Sequence, residues 1–128
     1  MPLFVGLPQE MLKALGQKTE YVNFLPDDIV FNEGDKGHSL YILVNGTVGV
    51  YKINKQGETS YIDELHEGSF IGEHALLMNS RRSATIKATT YVTFLRLTAS
   101  EVLKISKIAP ELKTRLREAD FQRQSIKS

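Results

Sequence analysis

Short segments rich in β-branched and aromatic residues recur between residues 20 and 97, and polar turns with glycine, proline or asparagine separate them. Segments of this length and spacing predict β-strands joined by tight turns. Such a succession is typical of a barrel or a jelly roll, because a parallel α/β sheet needs a helix between consecutive strands. The pair Asn45-Gly46 predicts a type I′ hairpin between two of these strands. The predicted strands cover residues 21–25, 29–31, 40–44, 47–51, 60–65, 84–88 and 91–97.

Helical patterns flank this β region. Leu7-Pro8-Gln9-Glu10 predicts the start of a short helix that ends at Gly16, because proline suits a first helical turn and glycine a C-terminal cap. At a length of 128 residues, one domain is expected. We therefore predict a mainly β fold with flanking helices, a jelly roll or double-stranded β-helix, with one short helical turn over 74–78 inside the β region. Its parts are a helical segment over 1–19, the jelly roll over 20–97 and two helices over 98–128.

The C-terminal helices have clear start signals. Thr98 and Glu101 have the spacing of a capping box. Ala109-Pro110-Glu111 predicts a second start, followed by an apolar face of Leu112, Leu116 and Ala119. The next position on that face is Arg123. This arginine either extends its charged end past the core into water or turns it towards a ligand, and the sequence leaves both readings open.

Composition narrows the classes of function. The net charge of +1 gives no support to a nucleic-acid partner, which usually needs clustered lysine and arginine. The chain has no cysteine, which excludes disulfides, thiol catalysis and thiolate metal sites. No apolar run approaches about 18 residues and the start lacks a signal-peptide pattern, so we expect no direct membrane insertion and a cytoplasmic location.

Catalytic motifs are absent from the sequence. It has no phosphate-binding P-loop, no dinucleotide fingerprint and no nucleophile elbow. The histidines His38, His66 and His74 stand singly in predicted loops rather than as the His-x-His pair of a cupin metal site. We therefore predict no catalytic residues, no metal and no cofactor, and keep a cupin-type metalloenzyme as a minor alternative.

One stretch combines an acid, small residues and an arginine. It runs Gly72-Glu73-His74-Ala75-Leu76 and continues, after a short gap, with Arg82-Ser83-Ala84-Thr85. A carboxylate accepts hydroxyl groups, a guanidinium binds phosphate, and small residues let backbone N–H groups approach an anion. The combination suits a compact ligand that carries both a phosphate and a sugar hydroxyl.

The stretch resembles the phosphate-binding cassette of cyclic-nucleotide-binding domains, which would span residues 70–85 here. The family pattern is Phe-Gly-Glu-x-Ala-Leu followed by Arg-x-Ala-[Ser/Thr]. The resemblance implies that Glu73 accepts the ribose 2′-hydroxyl and that Arg82 pairs with the cyclic phosphate. It also implies that N–H groups near Ala75 and Ser83 complete the cradle and that Gly72 permits the tight turn. The chain departs from the pattern at Ile71, His74, Arg81 and His38, and His74 is expected to alter the mouth of the cassette.

The resemblance also suggests how the base is held. Apolar pocket walls are expected from Val48, Val50, Leu65 and Ile86, and the last helix is expected to cover the base with Leu116 and Arg123. A hydroxyl after the cassette arginine, here Ser83, can reach a guanine in this family, yet it is also compatible with cAMP. We expect cAMP as the favoured ligand and keep cGMP as the alternative.

The implied function is a regulatory sensor rather than an enzyme. Ligand binding would move the last helix, and that movement would pass to an attached effector domain. The opening residues and the region 88–112 are similar to bacterial cyclic-nucleotide-regulated potassium channels, so the expected effector is an ion channel. The main alternative is a degenerate fold of the same family that acts only in protein interactions.

Overall fold

The computed structural model describes residues 20–125, so the helix predicted from Leu7 lies outside the described residues. Within that range the strands are β1 (Glu20–Phe24), β2 (Ile29–Phe31), β3 (Leu40–Asn45), β4 (Val48–Ile53), β5 (Thr59–Leu65), β6 (Phe70–Ile71), β7 (Thr85–Ala88) and β8 (Val92–Leu97). The helices are α1 (Glu73–Met78), α2 (Ala99–Ile108) and α3 (Glu111–Ser125).

The strands form two four-stranded antiparallel sheets. Their orders are β1-β8-β3-β6 and β2-β7-β4-β5, so strands that are neighbours in a sheet are seldom neighbours in sequence. Two facing antiparallel sheets with such crossovers form a jelly roll. The predicted mainly β class with a short central helix and two C-terminal helices is confirmed.

The hairpin predicted at Asn45-Gly46 was wrong. Strand β3 pairs with β6 and β8, whereas β4 pairs with β5 and β7, so the two residues connect different sheets. Gly46 has a positive φ of 99° and Asn45 does not, although a type I′ turn needs both. Burial of β3 and β4 against different partners outweighs the local turn preference.

Two apolar clusters fill the molecule. One lies between the helices and the sheet that contains β3, and the other lies between the two sheets. The two consecutive residues of β6 belong to different clusters, because the side chains of a strand point alternately to opposite faces. Phe70 joins the helix cluster and Ile71 joins the cluster between the sheets. This packing on both faces fixes the backbone that leads directly into Gly72 and Glu73.

The C-terminal helices follow their predicted signals. The Thr98 side chain accepts a hydrogen bond from the Glu101 N–H at 3.2 Å, and the Glu101 carboxylate accepts the Thr98 N–H at 3.3 Å, which confirms the capping box. Leu112 and Leu116 of α3 are buried in the helix cluster. Their burial fixes the first half of α3, and its last turns then lie beside α1. None of the helices in residues 20–125 is long and apolar enough to cross a membrane.

Candidate functional site

A cavity of about 280 Å³ lies between one sheet, the stretch from Ile71 to Ala84 and the end of α3. Its lining residues are Phe31, Val50, Ile62, Asp63, Leu65 and Ile86 from strands, Ile71, Gly72, Glu73, His74, Ala75, Arg82, Ser83 and Ala84 from the cassette, and Arg123 and Gln124 from α3. The wall is mainly apolar with a few charged groups, which is the usual character of a small-molecule site.

Arg82 is the buried cation of this cavity, with only 5% of its surface exposed. Its Nη1 donates to the carbonyl oxygens of Ser39 at 3.0 Å and Gly72 at 3.4 Å. The guanidinium stacks on the ring of Phe31, with Cζ 4.3 Å from the ring centroid. These contacts orient the guanidinium but do not neutralise its charge.

Within residues 20–125 Arg82 forms no salt bridge. Burial lowers the pKa of Arg82 from its ordinary value, while the nearby Tyr41, Asp35 and Glu73 act in the opposite direction. An arginine nevertheless stays protonated in a protein. A buried cation without a carboxylate partner is costly, and a bound anion would remove much of that cost.

The backbone around Arg82 is built for close approach. The Arg82 carbonyl accepts the Gly34 N–H at 2.8 Å, and the Arg82 N–H donates to the Asp35 carbonyl at 2.9 Å. Gly72 has a φ of 91°, and a Cβ there would lie 2.5 Å from Nη1 of Arg82 and 2.7 Å from the Ser39 carbonyl oxygen. Glycine is therefore required at position 72 by both conformation and space.

Glu73 is the buried acid of the site, 4% exposed, in the first turn of α1. Its Oε1 pairs with Nη1 of Arg123 at 2.7 Å. The Arg123 guanidinium also lies over the ring of Phe70, with Cζ 4.9 Å from the centroid. The end of α3 is thus joined to the cassette at the acid that the sequence singled out.

A second polar contact joins the same two helices. Nδ1 of His74 lies 2.9 Å from Oδ1 of the buried Asp120, and Gln124 donates to the same oxygen at 3.3 Å. Because carboxylate oxygens only accept hydrogen bonds, the Nδ1 of His74 carries the proton in this contact. His74, one of the positions where the cassette departs from the family pattern, is therefore a docking point for α3.

The structure brings most of the predicted site residues together. Eleven of them line the cavity: Gly72, Glu73, His74, Ala75, Arg82, Ser83, Val50, Leu65, Ile71, Ile86 and Arg123. Val48 and Leu116 do not line it. Val48 precedes the cavity residue Val50 by two positions in β4 and lies opposite Leu65 and Ala88. Its side chain is fully buried between the sheets. Leu116 precedes Arg123 by about two helical turns and packs in the helix cluster instead.

Sequence reasoning missed five lining residues, namely Phe31, Ile62, Asp63, Ala84 and Gln124. Ala84 belongs to the cassette motif and Gln124 adjoins Arg123, so their positions carried a usable signal. Phe31 required knowledge that β2 pairs with β7. Asp63 is two residues from Leu65 on the same face of β5, so alternation carried a usable signal for it, whereas Ile62 depends on an irregularity in strand pairing that no alternation pattern reveals.

The histidines of the described range do not converge. His66 lies near Thr47 and Glu64, whereas His74 contacts Asp120. Among residues 20–125 no group of three histidine or carboxylate side chains is arranged to hold a metal ion.

Comparison with known proteins gives a consistent result. The family model described as the cyclic nucleotide-binding domain matches residues 21–108. The chain is 35% identical over 88 residues to a cAMP-dependent protein kinase regulatory subunit of Blastocladiella emersonii, a match that covers 69% of this chain and 22% of that protein. It is 34% identical over 91 residues to the human potassium/sodium hyperpolarization-activated cyclic nucleotide-gated channel 1, covering 71% of this chain and 10% of the channel.

Solved structures show the same likeness. The regulatory domain of Toxoplasma gondii PKA, crystallised with cAMP, superposes with a TM-score of 0.75 at 27% identity. That match covers 84% of this chain and 41% of the other. The chain therefore spans a minor part of each of these relatives.

Proposed function

The chain belongs to the cyclic nucleotide-binding domain family, and we propose that it is a regulatory sensor that binds cAMP in the cavity beside Arg82, with cGMP as the alternative ligand. It relays the binding event through α3 to an attached effector and carries out no catalysis itself.

The observation that carries the proposal is the buried guanidinium of Arg82, which forms no salt bridge within residues 20–125. A cyclic phosphate has one negative charge and two free oxygens, so it can accept charge-assisted hydrogen bonds from Arg82. Each such bond contributes about 1.5–3 kcal/mol. Backbone N–H groups near Ala75 and Ser83, both in the cavity wall, complete the cradle.

The ribose is assigned to Glu73. This carboxylate is held by Arg123 through one oxygen, Oε1, so Oε2 is left to accept the ribose 2′-hydroxyl. The buried ion pair fixes the orientation of the acceptor before the ligand arrives. Preorganisation of this kind lowers the entropy cost of binding.

The base is assigned to the apolar half of the cavity. Val50, Leu65 and Ile86 form a surface on which a purine ring can pack, and Arg123 stacks on its exposed face. The hydroxyl of Ser83 does not by itself choose between the two bases. The apolar wall favours adenine, and the solved relative from Toxoplasma gondii was crystallised with cAMP.

The output is assigned to α3. Its end joins the cassette through two contacts with consecutive residues of α1. Arg123 pairs with Glu73, and Asp120 contacts His74. A ligand that contacts α3 only in the docked position shifts the helix towards that position. The relatives place such domains in a kinase regulatory subunit and in a channel, and we favour a channel effector and a cytoplasmic location.

Two other functions are kept as alternatives. A degenerate member of the family would retain the fold and act only in protein contacts, but it would have no need for a buried cation in a cavity. A cupin-type metalloenzyme would need side chains grouped to hold a metal ion, and residues 20–125 contain no such group.

Calorimetric titration with cAMP, cGMP and 5′-AMP tests the proposal. We expect one binding site for cAMP, weaker binding of cGMP and much weaker binding of 5′-AMP, whose open phosphate has a different charge and shape. Absence of heat and of any thermal stabilisation with both cyclic nucleotides would leave the degenerate fold as the better account.

A further inference from the structure

Strand β5 contains a bulge beside the cavity. Val50 of β4 lies opposite Asp63, but the next residue, Tyr51, lies opposite Tyr61, so Ile62 is an extra residue. In a regular strand consecutive side chains point to opposite faces, whereas a bulge can turn two consecutive side chains towards one side. Ile62 and Asp63 both line the cavity. Asp63 shares the face of Leu65 by regular alternation, and the bulge adds Ile62 beside it, so this end of the wall carries a carboxylate next to an apolar side chain.

Asp63 stands at the end of a row that crosses the whole sheet. Phe31 lies opposite Ile86, Ile86 opposite Val50, and Val50 opposite Asp63, and all four residues line the cavity. Three strand spacings separate the ends of the row, about 14 Å along the sheet. Arg82 stacks on Phe31 at one end, so Asp63 marks the end that lies farthest from the phosphate-binding cation.

The order of groups in a nucleotide then decides what reaches Asp63. A ligand whose phosphate lies at Arg82 and whose ribose lies at Glu73 extends its base over Ile86 and Val50. The outer edge of that base arrives at Asp63, which forms no salt bridge within the described part of the chain. Oδ1 of Asp63 accepts the Glu64 N–H at 2.8 Å, and Oδ2 remains to accept from the ligand.

A carboxylate accepts hydrogen bonds and donates none, so it selects for a donor. Adenine presents an amine at position 6 of the purine, whereas guanine presents a carbonyl oxygen there. We infer that Asp63 is a specificity residue that accepts a hydrogen bond from the 6-amino group of adenine, a donor that guanine lacks at that position. The inference rests on the proposed function, and it gives the preference for cAMP a specific side chain.

The test compares cAMP with the cyclic monophosphate of purine riboside, which lacks the 6-amino group. Wild-type protein should bind cAMP about fivefold more tightly than this analogue. Asp63→Ala should bind both ligands equally, with an affinity for the analogue close to that of the wild type. Glu64→Ala is the matched control, because Glu64 is the neighbouring exposed acid and does not line the cavity, and it should retain the wild-type preference.

Two results would overturn the assignment alone. One is equal binding of both ligands by wild-type protein, and the other is an equal loss of affinity for both ligands in Asp63→Ala. Failure of the wild-type chain to bind either ligand would instead contradict the proposed function, and the assignment with it.

Discussion

Gly72 and Arg82 depend on each other at the level of single residues. The Gly72 carbonyl accepts from the guanidinium, and the space that a side chain at position 72 would occupy is the space that the guanidinium fills. The cassette motif therefore places a glycine and an arginine ten residues apart for a steric reason as well as a chemical one. A change at Gly72 should act on the ligand through Arg82.

We predict that Gly72→Ala both destabilises the fold and weakens cyclic-nucleotide binding. Gly68→Ala is the matched control, because Gly68 has nearly the same φ, 90°, and has no atom within 4 Å of its missing Cβ. The left-handed conformation should cost each variant about 1–2 kcal/mol of unfolding free energy. Gly72→Ala should lose about 1–3 kcal/mol more, because its Cβ has to displace Arg82 or Ser39.

Denaturant unfolding and calorimetry of both variants make this measurable. Equal stability and equal affinity in the two variants would show that the close contact of Gly72 with Arg82 has no consequence.

At the level of elements, α3 has two kinds of contact. Its first turns are held by the helix cluster through Leu112 and Leu116, and its last turns are held by polar pairs with α1. Apolar burial is hard to reverse, whereas a few polar pairs at a helix end can separate at low cost. We therefore propose the last turns of α3 as the part that a ligand moves.

We predict that Arg123→Ala weakens nucleotide binding by about 1 kcal/mol, because it removes the cation that pairs with Glu73 and that is proposed to cover the base. Arg117→Ala, an exposed arginine on the same helix, should bind as the wild type does. Calorimetric titration of the two variants at the same ionic strength compares their affinities for the nucleotide. An unchanged affinity in Arg123→Ala would mean that the pair of Arg123 with Glu73 only holds α3 against α1 and contributes nothing to ligand binding.

Elements with local signals were predictable from the sequence. The capping box at Thr98 and the cassette helix after Gly72 depend on neighbouring residues, and both appear where expected. The connection at Gly46 and the bulge at Ile62 depend on which strands pair, and pairing between distant segments leaves no local pattern. For the same reason Ile62 was not expected in the cavity wall.

At the scale of the whole molecule, the site lies where the two apolar clusters meet. Strand β6 sends Phe70 into one cluster and Ile71 into the other, so the cassette starts from a rigid point. The jelly roll then supplies the fixed wall with Arg82, and α3 supplies the covering element with Arg123. A cyclic nucleotide between them would contact both parts, which is the requirement for relaying its binding to an effector.

The affinity of Arg82→Leu for cAMP, measured by calorimetry against Arg81→Leu, tests the central claim most directly. Arg81 is an exposed neighbour whose Nη1 donates to the Gly34 carbonyl oxygen, so its replacement should leave binding near the wild-type value. Arg82→Leu should keep the fold, because leucine can pack on Phe31, and should lose about 2–5 kcal/mol of binding free energy by leaving the phosphate unpaired. Near-wild-type affinity in a folded Arg82→Leu protein would contradict the account.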